Sequence, residues 1–230
     1  MKRNCGMPRG CKTEARTAHD YHVTTTRKQT MKKTCGNQRG VQEGWQKKQG
    51  AFKSLADIVA AYIRCDKAAL IDDLDRYKKC TTWAGAVELA ARAEQCDGKM
   101  YCHQRRVGRA AMALTAKPLS GLSRRKFRDF DALHDAVRES LHGIRRVRIL
   151  AVYDTALRLG AFRGILPDRV YLHAGTLKGA KNLRLEVRAK KSLAMSDLPS
   201  EFRKLKAYEV ENCLCIYKEH FKPASALQKV

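Results

Sequence analysis

The chain has 230 residues, 44% of them hydrophobic, which is enough for one domain with an apolar core. Lysine and arginine number 47 against 23 aspartate and glutamate residues, so the formal net charge is +24. This excess favours a polyanionic partner, most commonly nucleic acid, over a surface that is merely basic. No apolar run approaches the ~20 residues of a membrane span, which argues against a membrane partner.

The first segment, residues 1–50, is rich in lysine, arginine, threonine, glutamine and glycine and has almost no aliphatic residues. It shows neither helical nor strand periodicity, and this composition predicts a disordered basic arm. The arm could tether the protein electrostatically to DNA or RNA. It could equally be a poorly ordered terminus without a role, or a stretch upstream of the true start.

Regular structure is predicted to begin near Phe52, in an α-helical domain that spans residues 51–222 and precedes a tail, residues 223–230. Apolar residues recur there at helical spacing, and Ser54 with Asp57 is typical of a helix N-terminus. The apolar face of this first helix comprises Leu55, Ile58, Val59, Tyr62 and Ile63, and that of a second comprises Leu70, Ile71, Leu74 and Tyr77.

A third, alanine-rich helix is predicted over residues 83–95, with the turn at 97–98 as its stop. Arg105 and Arg106 then crowd the start of a helix that Pro118 is expected to end. Cations at a helix N-terminus oppose the helix dipole, so they do not stabilise the helix. A phosphate partner and an ordinary solvated turn explain them equally well.

Two amphipathic helices are predicted over residues 127–141 and 150–160, joined by a tight hairpin. The hairpin contains a glycine, which lets the backbone approach a phosphate, and three arginines, which can donate charge-assisted hydrogen bonds. The second helix begins directly after it, and the unpaired N–H groups of a helix N-terminus attract anions. The predicted phosphate-binding residues of the hairpin are His142, Gly143, Arg145, Arg146 and Arg148.

Residues 136–168 resemble the helix-hairpin-helix DNA-binding motif, with an apolar residue, Gly143, an apolar residue and then a second helix. Members of that family usually carry a second glycine two residues after the first, where this chain has Arg145. The resemblance implies binding to DNA through the backbone and side chains of the hairpin.

The resemblance extends to the DNA glycosylases of the same superfamily, which carry a catalytic aspartate after the second helix, often near a proline. Asp168, directly after a proline, stands at the matching place. It implies stabilisation of the sugar cation as a base leaves. Bifunctional members have a lysine in the hairpin, and here that place is Val147, so strand cleavage is not implied. The alternative for Asp168 is a turn residue that begins a helix.

Beyond the hairpin, residues 175–176 are expected to form a turn that precedes Lys178 and Lys181, two further candidate nucleic-acid contacts. A last amphipathic helix is predicted over residues 208–221. No convincing strand alternation occurs, so the predicted fold class is all-α: a compact multi-helix domain with a central helix-hairpin-helix-like unit. Asp154 and Arg158, four residues apart in one helix, are expected to pair.

The chain has nine cysteines and no C-x-x-C pair. Cys96, Cys102 and His103 are spaced more loosely than zinc ligands, so no metal and no cofactor are expected. The N-terminus has no apolar stretch after its charges, which predicts an intracellular, thiol-reduced protein, cytoplasmic or nucleoid-associated.

The sequence therefore predicts a protein that binds nucleic acid, with duplex DNA favoured over RNA, mainly through phosphates. Two alternatives remain open. One is a base-excision glycosylase that uses Asp168, and the other is a basic structural or RNA-associated protein without a catalytic site.

Overall fold

Residues 52–95 and 98–221 are described in the computed structural model of the protein. The predicted arm, residues 1–50, and tail, residues 223–230, lie outside these ranges. The described part is mostly helical, as predicted, and it also contains one short antiparallel pair of strands. None of its helices is long and apolar enough to cross a bilayer.

The helices and strands follow one another in chain order, separated by loops and by short 3₁₀ turns at Cys102–Gln104, Met195–Asp197 and Ser200–Lys204. The elements are α1 (Leu55–Cys65), α2 (Lys67–Lys78), α3 (Trp83–Arg92), α4 (Arg109–Ala113), α5 (Ala116–Ser120), α6 (Phe130–Ser140), α7 (Ile149–Arg163), β1 (Val170–Tyr171), α8 (Ala174–Asn182), β2 (Ser192–Leu193) and α9 (Ala207–Ile216).

Side-chain caps fix the starts of several helices. The predicted cap of α1 is confirmed, because the Asp57 N–H donates to the Ser54 hydroxyl and the Ser54 N–H donates to the Asp57 carboxylate. Thr82 caps α3 and Asp129 caps α6 in the same way, each accepting from an N–H of the first turn. The polar residue before each apolar stretch therefore decides where the helix begins.

Two apolar cores and a smaller cluster hold the described residues together. The first core is formed mainly by α2, α3, α5, α6 and α7, and the second by α1, α8, α9 and the two strands. The third cluster lies where the segment after α3 and the helix α4 meet α7, and it comprises Ala93, Met100, Val107, Met112 and Ala151. Because α7 contributes to both the first core and the third cluster, it is the central helix of this half of the molecule.

Two expected helix breaks are wrong. Pro118 lies inside α5, where its missing N–H is tolerated because the position falls in the first turn. Residues 175–176 lie inside α8 rather than in a turn. Gly175 is required for close helix packing, since a Cβ there would collide with the sulfur of Cys215, and Gly179 is required because a Cβ would collide with the carbonyl of Leu214.

Candidate nucleic-acid interface

The hairpin, residues 141–148, joins α6 to α7 and is anchored by its apolar residues. Leu141 is only 2% exposed, and Ile144 and Val147 are half-buried against the first core. Gly143 has a φ of 82°, a left-handed conformation that glycine adopts without strain. The alternation of anchored apolar residues with polar ones therefore forces the polar side chains of the hairpin outward.

The five residues predicted to bind phosphate in the hairpin are all exposed. Arg145, at the place of the family's second glycine, does not have a positive φ, whereas its neighbour Arg146 has a φ of 72°. The backbone strain of the turn is therefore at Arg146. Left-handed arginine is uncommon and costs on the order of 1 kcal/mol, so the hairpin retains an unfavourable residue that presents a cation to solvent.

The N-terminus of α7 is basic and has no side-chain cap. Arg148 occupies the N-cap position in extended conformation, makes no capping hydrogen bond, and is followed by a first turn without acidic residues. By contrast, Asp129 caps α6 and accepts the N–H of Ala132 at 2.8 Å. In the described part of the chain, no side-chain cap and no acidic residue of the first turn offsets the positive end of the α7 dipole. Its first N–H groups are therefore suited to bind an anion.

The turn that carries Arg105 and Arg106 is anchored beside the hairpin. Both arginines are exposed, and the next residue, Val107, is buried in the third cluster with Ala151 of α7. Val147 of the hairpin packs against the same cluster. The two arginine turns that the sequence predicts separately are therefore tied to one small group of apolar side chains.

The exposed arginines of the two turns form no ion pair with any residue in the described ranges. They are Arg105, Arg106, Arg145, Arg146 and Arg148. Other arginines of the same part of the chain do pair, for example Arg109 with Glu94 and Arg138 with Asp135. The charges at the two turns are thus not neutralised locally. We call the surface formed by these turns the arginine surface; its residues are Arg105, Arg106, His142, Gly143, Arg145, Arg146 and Arg148.

Lys178 and Lys181 lie elsewhere, on α8, which packs on α9 in the second core. Lys178 pairs with Glu219 at 2.6 Å, and Lys181 is exposed at the rim of an open cavity of about 620 Å³. The apolar part of that cavity comes from Leu172, Leu177 and neighbouring residues of the second core. The elements that anchor these two lysines are not those that anchor the arginine surface.

Asp168 is exposed in the loop between α7 and β1, after the buried Pro167. A strand rather than a helix follows it, so the expected role of starting a helix is wrong. The cavity of about 620 Å³ does not include Asp168.

A polar network that no local pattern in the sequence indicates holds the Arg105–Arg106 turn in place. Asp154 on α7 accepts hydrogen bonds from His103 at 2.8 Å and from Gln104 at 2.9 Å. Gln104 in turn accepts from Arg158 at 3.3 Å, so it bridges the two α7 residues that were expected to pair directly. The 3₁₀ turn that precedes Arg105 is thereby fixed to α7 by its side chains.

Arg158 is 4% exposed, and its charge is balanced inside the network. Its Nε lies 3.6 Å from a carboxylate oxygen of Asp73 on α2, and its guanidinium stacks 4.0 Å from the ring centre of Tyr101. The Tyr101 hydroxyl donates to the other oxygen of Asp73. A buried arginine with this set of partners is a structural element that connects α2, α7 and the 101–104 turn.

The charges of the network shift the titration of its members. Burial alone would lower the pKa of His103, but the Asp154 carboxylate outweighs it and raises that pKa to about 10. Burial would raise the pKa of Asp154, whereas His103 and Arg158 hold it below its ordinary value. At neutral pH the pair is therefore an imidazolium and a carboxylate.

Two further histidines are structural. His134 is buried beside the first core, and burial lowers its pKa. His173 is buried between the cores, where its Nε2 lies 2.5 Å from Glu211, a residue that also accepts from the Thr176 hydroxyl at 2.8 Å. Within residues 52–95 and 98–221, no group of three or more histidine, cysteine or acidic side chains could hold a metal ion.

No family model, curated protein or solved structure matches the chain.

Proposed function

We propose that the protein binds nucleic acid, with duplex DNA as the favoured form, and that the arginine surface contacts the phosphates. The observation that carries the proposal is the placement of five exposed, locally unpaired arginines on two turns that share the third cluster. A duplex presents phosphates on two strands, and two neighbouring basic turns can contact them together.

The uncapped N-terminus of α7 supports the same proposal. Its backbone N–H groups and the side chain of Arg148 can both donate to one phosphate. The strained Arg146 supports it as well, because a neutral turn residue would serve the fold better. In this proposal α6, the hairpin and α7 act as a helix-hairpin-helix unit, and Arg145 replaces the backbone contact of a second glycine with a side-chain contact.

No observation favours the glycosylase alternative over binding alone, because Asp168 is an exposed loop residue. The fold does not distinguish DNA binding from RNA binding, so the choice of nucleic-acid probe has to separate these two alternatives. A-form duplexes differ from B-DNA in groove width and phosphate spacing, so a surface built for one duplex binds the other less well.

The test is binding of equal-length duplex DNA, single-stranded DNA and duplex RNA, measured by fluorescence anisotropy over a series of salt concentrations. Arg145→Ala with Arg146→Ala should weaken binding to duplex DNA roughly 100-fold, since each charge-assisted contact contributes on the order of 1.5 kcal/mol. The slope of log K against log salt should become shallower by about 2, because each lost phosphate contact removes about 0.9 from it.

The matched control is Arg203→Ala with Lys204→Ala, which removes the same charge from exposed positions beside the second core. This control should change the salt slope by much less than the hairpin variant. Equal effects of the two variants would mean that net charge alone drives binding. Unchanged affinity and slope in the hairpin variant would refute the proposed interface.

A further inference from the structure

An exposed apolar side chain, Ile149, directly follows the arginine surface in the chain. In the described part of the chain, the large apolar residues that remain exposed are Ile63, Leu114 and Ile149. Ile149 is 60% exposed and is the first residue of α7, directly after Arg148. Of these three residues, Ile149 is therefore the one that lies next to the cations of the hairpin in the chain.

Packing among the described residues does not bury Ile149. From Ala151 to Ala161 nearly every residue of α7 is buried, but residue 149 lies outside both cores and outside the third cluster. A β-branched residue also gains nothing at the start of a helix, where Pro, Asp or Glu is favourable. The exposed side chain is therefore available to a partner.

The chemistry of the surroundings limits what that partner can be. Ile149 directly follows the basic hairpin, so a ligand that covers it and also contacts the hairpin arginines combines anionic groups with an apolar face. Nucleic acid has this combination, with phosphates on its backbone and the flat faces of its bases. In a regular duplex the faces are stacked and inaccessible, and they become accessible where the stack is interrupted.

We propose that Ile149 inserts against a base face at an interruption of the duplex, such as a bulge or a mismatch, while the arginines hold the flanking phosphates. This inference rests on the proposed function and specifies its substrate class. The protein would then bind interrupted duplexes in preference to fully paired ones. Phosphate contacts alone carry no such preference, because they are the same at both sites.

The experiment compares two duplexes of equal length, one fully paired and one with a single-nucleotide bulge, each containing 2-aminopurine beside the central step. The fluorescence of 2-aminopurine rises when its neighbours unstack. The wild-type protein should bind the bulged duplex about tenfold more tightly and raise its fluorescence. Ile149→Ala should abolish both effects while it leaves affinity for the paired duplex within about twofold.

The control is Ile63→Ala, the same truncation at a 39% exposed position of α1, which should retain both the preference and the fluorescence change. Equal binding of the two duplexes by the wild-type protein, or a preference that survives in Ile149→Ala, would overturn the role of Ile149 and leave phosphate binding intact. Failure of the wild-type protein to bind either duplex would overturn the proposed function itself. Thermal melts check that each variant is folded, as expected for changes at exposed positions.

Discussion

The protein uses arginine in two opposite ways on neighbouring segments. Arg158 is buried and is neutralised by Asp73, hydrogen-bonded to Gln104 and stacked on Tyr101. The hairpin arginines, by contrast, are exposed and have no ion-pair partner among the described residues. The difference indicates that a basic composition alone does not identify a binding surface. Cations that the chain itself neutralises contribute to its fold, and those left without a carboxylate are candidates for an external anion.

The largest effect is expected where the buried arginine is removed. Arg158→Met removes the buried cation that contacts Asp73 and Gln104. Among the described residues, Asp73 then keeps only Arg76 and Asp154 keeps only His103 as a cationic partner. Breaking a buried pair in this way costs about 3–5 kcal/mol. The free energy of unfolding from urea titrations checks this loss. Arg148→Met, the same substitution at an exposed position, should change that free energy by less than about 0.5 kcal/mol. Equal destabilisation by both variants would show that the contrast between the two regions is wrong.

A smaller but more specific effect is expected when the Arg105–Arg106 turn is changed, alone or together with the hairpin. Arg105→Ala with Arg106→Ala should weaken binding to duplex DNA by roughly tenfold or more, with little loss of stability. If the two turns contact one duplex, combining these changes with the two at Arg145 and Arg146 should flatten the salt slope by about 4 in total. Anisotropy titrations over a range of salt measure the slope. If the combined variant has the same salt slope as the variant of Arg145 and Arg146 alone, then Arg105 and Arg106 are not part of the interface.

The sequence predicts the helices well because their starts depend on local signals. The Ser54 cap and the apolar spacing of α1 are examples. The exposure of the hairpin arginines also has a local cause, because the anchored Leu141, Ile144 and Val147 direct them outward. Both features depend on residues that lie close together in the sequence.

The polar network could not be predicted, because its members are distant in sequence. Gln104 and Asp154 are brought together only when the turn after α3 docks on α7. A glutamine in a basic turn has no periodicity that would reveal its burial. The available signal is the polar pair Asp154 and Arg158 on a helix whose other residues are mostly apolar. It indicates a pair but not the glutamine that bridges it.

Two substitutions in the hairpin give a third test of the comparison between the buried Arg158 and the exposed hairpin arginines. Gly143→Ala places a Cβ at a φ of 82°, where there is open space but an unfavourable backbone conformation, so it should cost about 1 kcal/mol. Arg146→Gly should not destabilise the protein in the same way, because glycine relieves the strain at a φ of 72°. It should still weaken DNA binding through the lost cation. Urea titrations and anisotropy together separate these two consequences, and loss of stability in Arg146→Gly would show that its side chain supports the fold.

The smallest effect concerns His103, which connects the buried network to the basic turn. Its pKa is raised from about 6.5 to about 10 by Asp154, so its contribution to stability is fully present below pH 6.5 and is lost as pH rises towards 10. The pKa of Asp154 is lowered, so the pair is also lost in acid, as pH falls below the ordinary value of 3.8. The excess stability of the wild-type protein over His103→Gln should therefore be largest between about pH 4 and pH 6.5.

The magnitude should be no more than about 1 kcal/mol, because the His103 side chain is 40% exposed and water screens its charge. Parallel urea titrations of the two proteins from pH 5 to pH 10 measure the difference, and taking the difference cancels groups that titrate alike in both. A difference that stays constant over this range would mean that His103 holds Asp154 as a neutral donor. The turn would then depend on the hydrogen bond rather than on the charge.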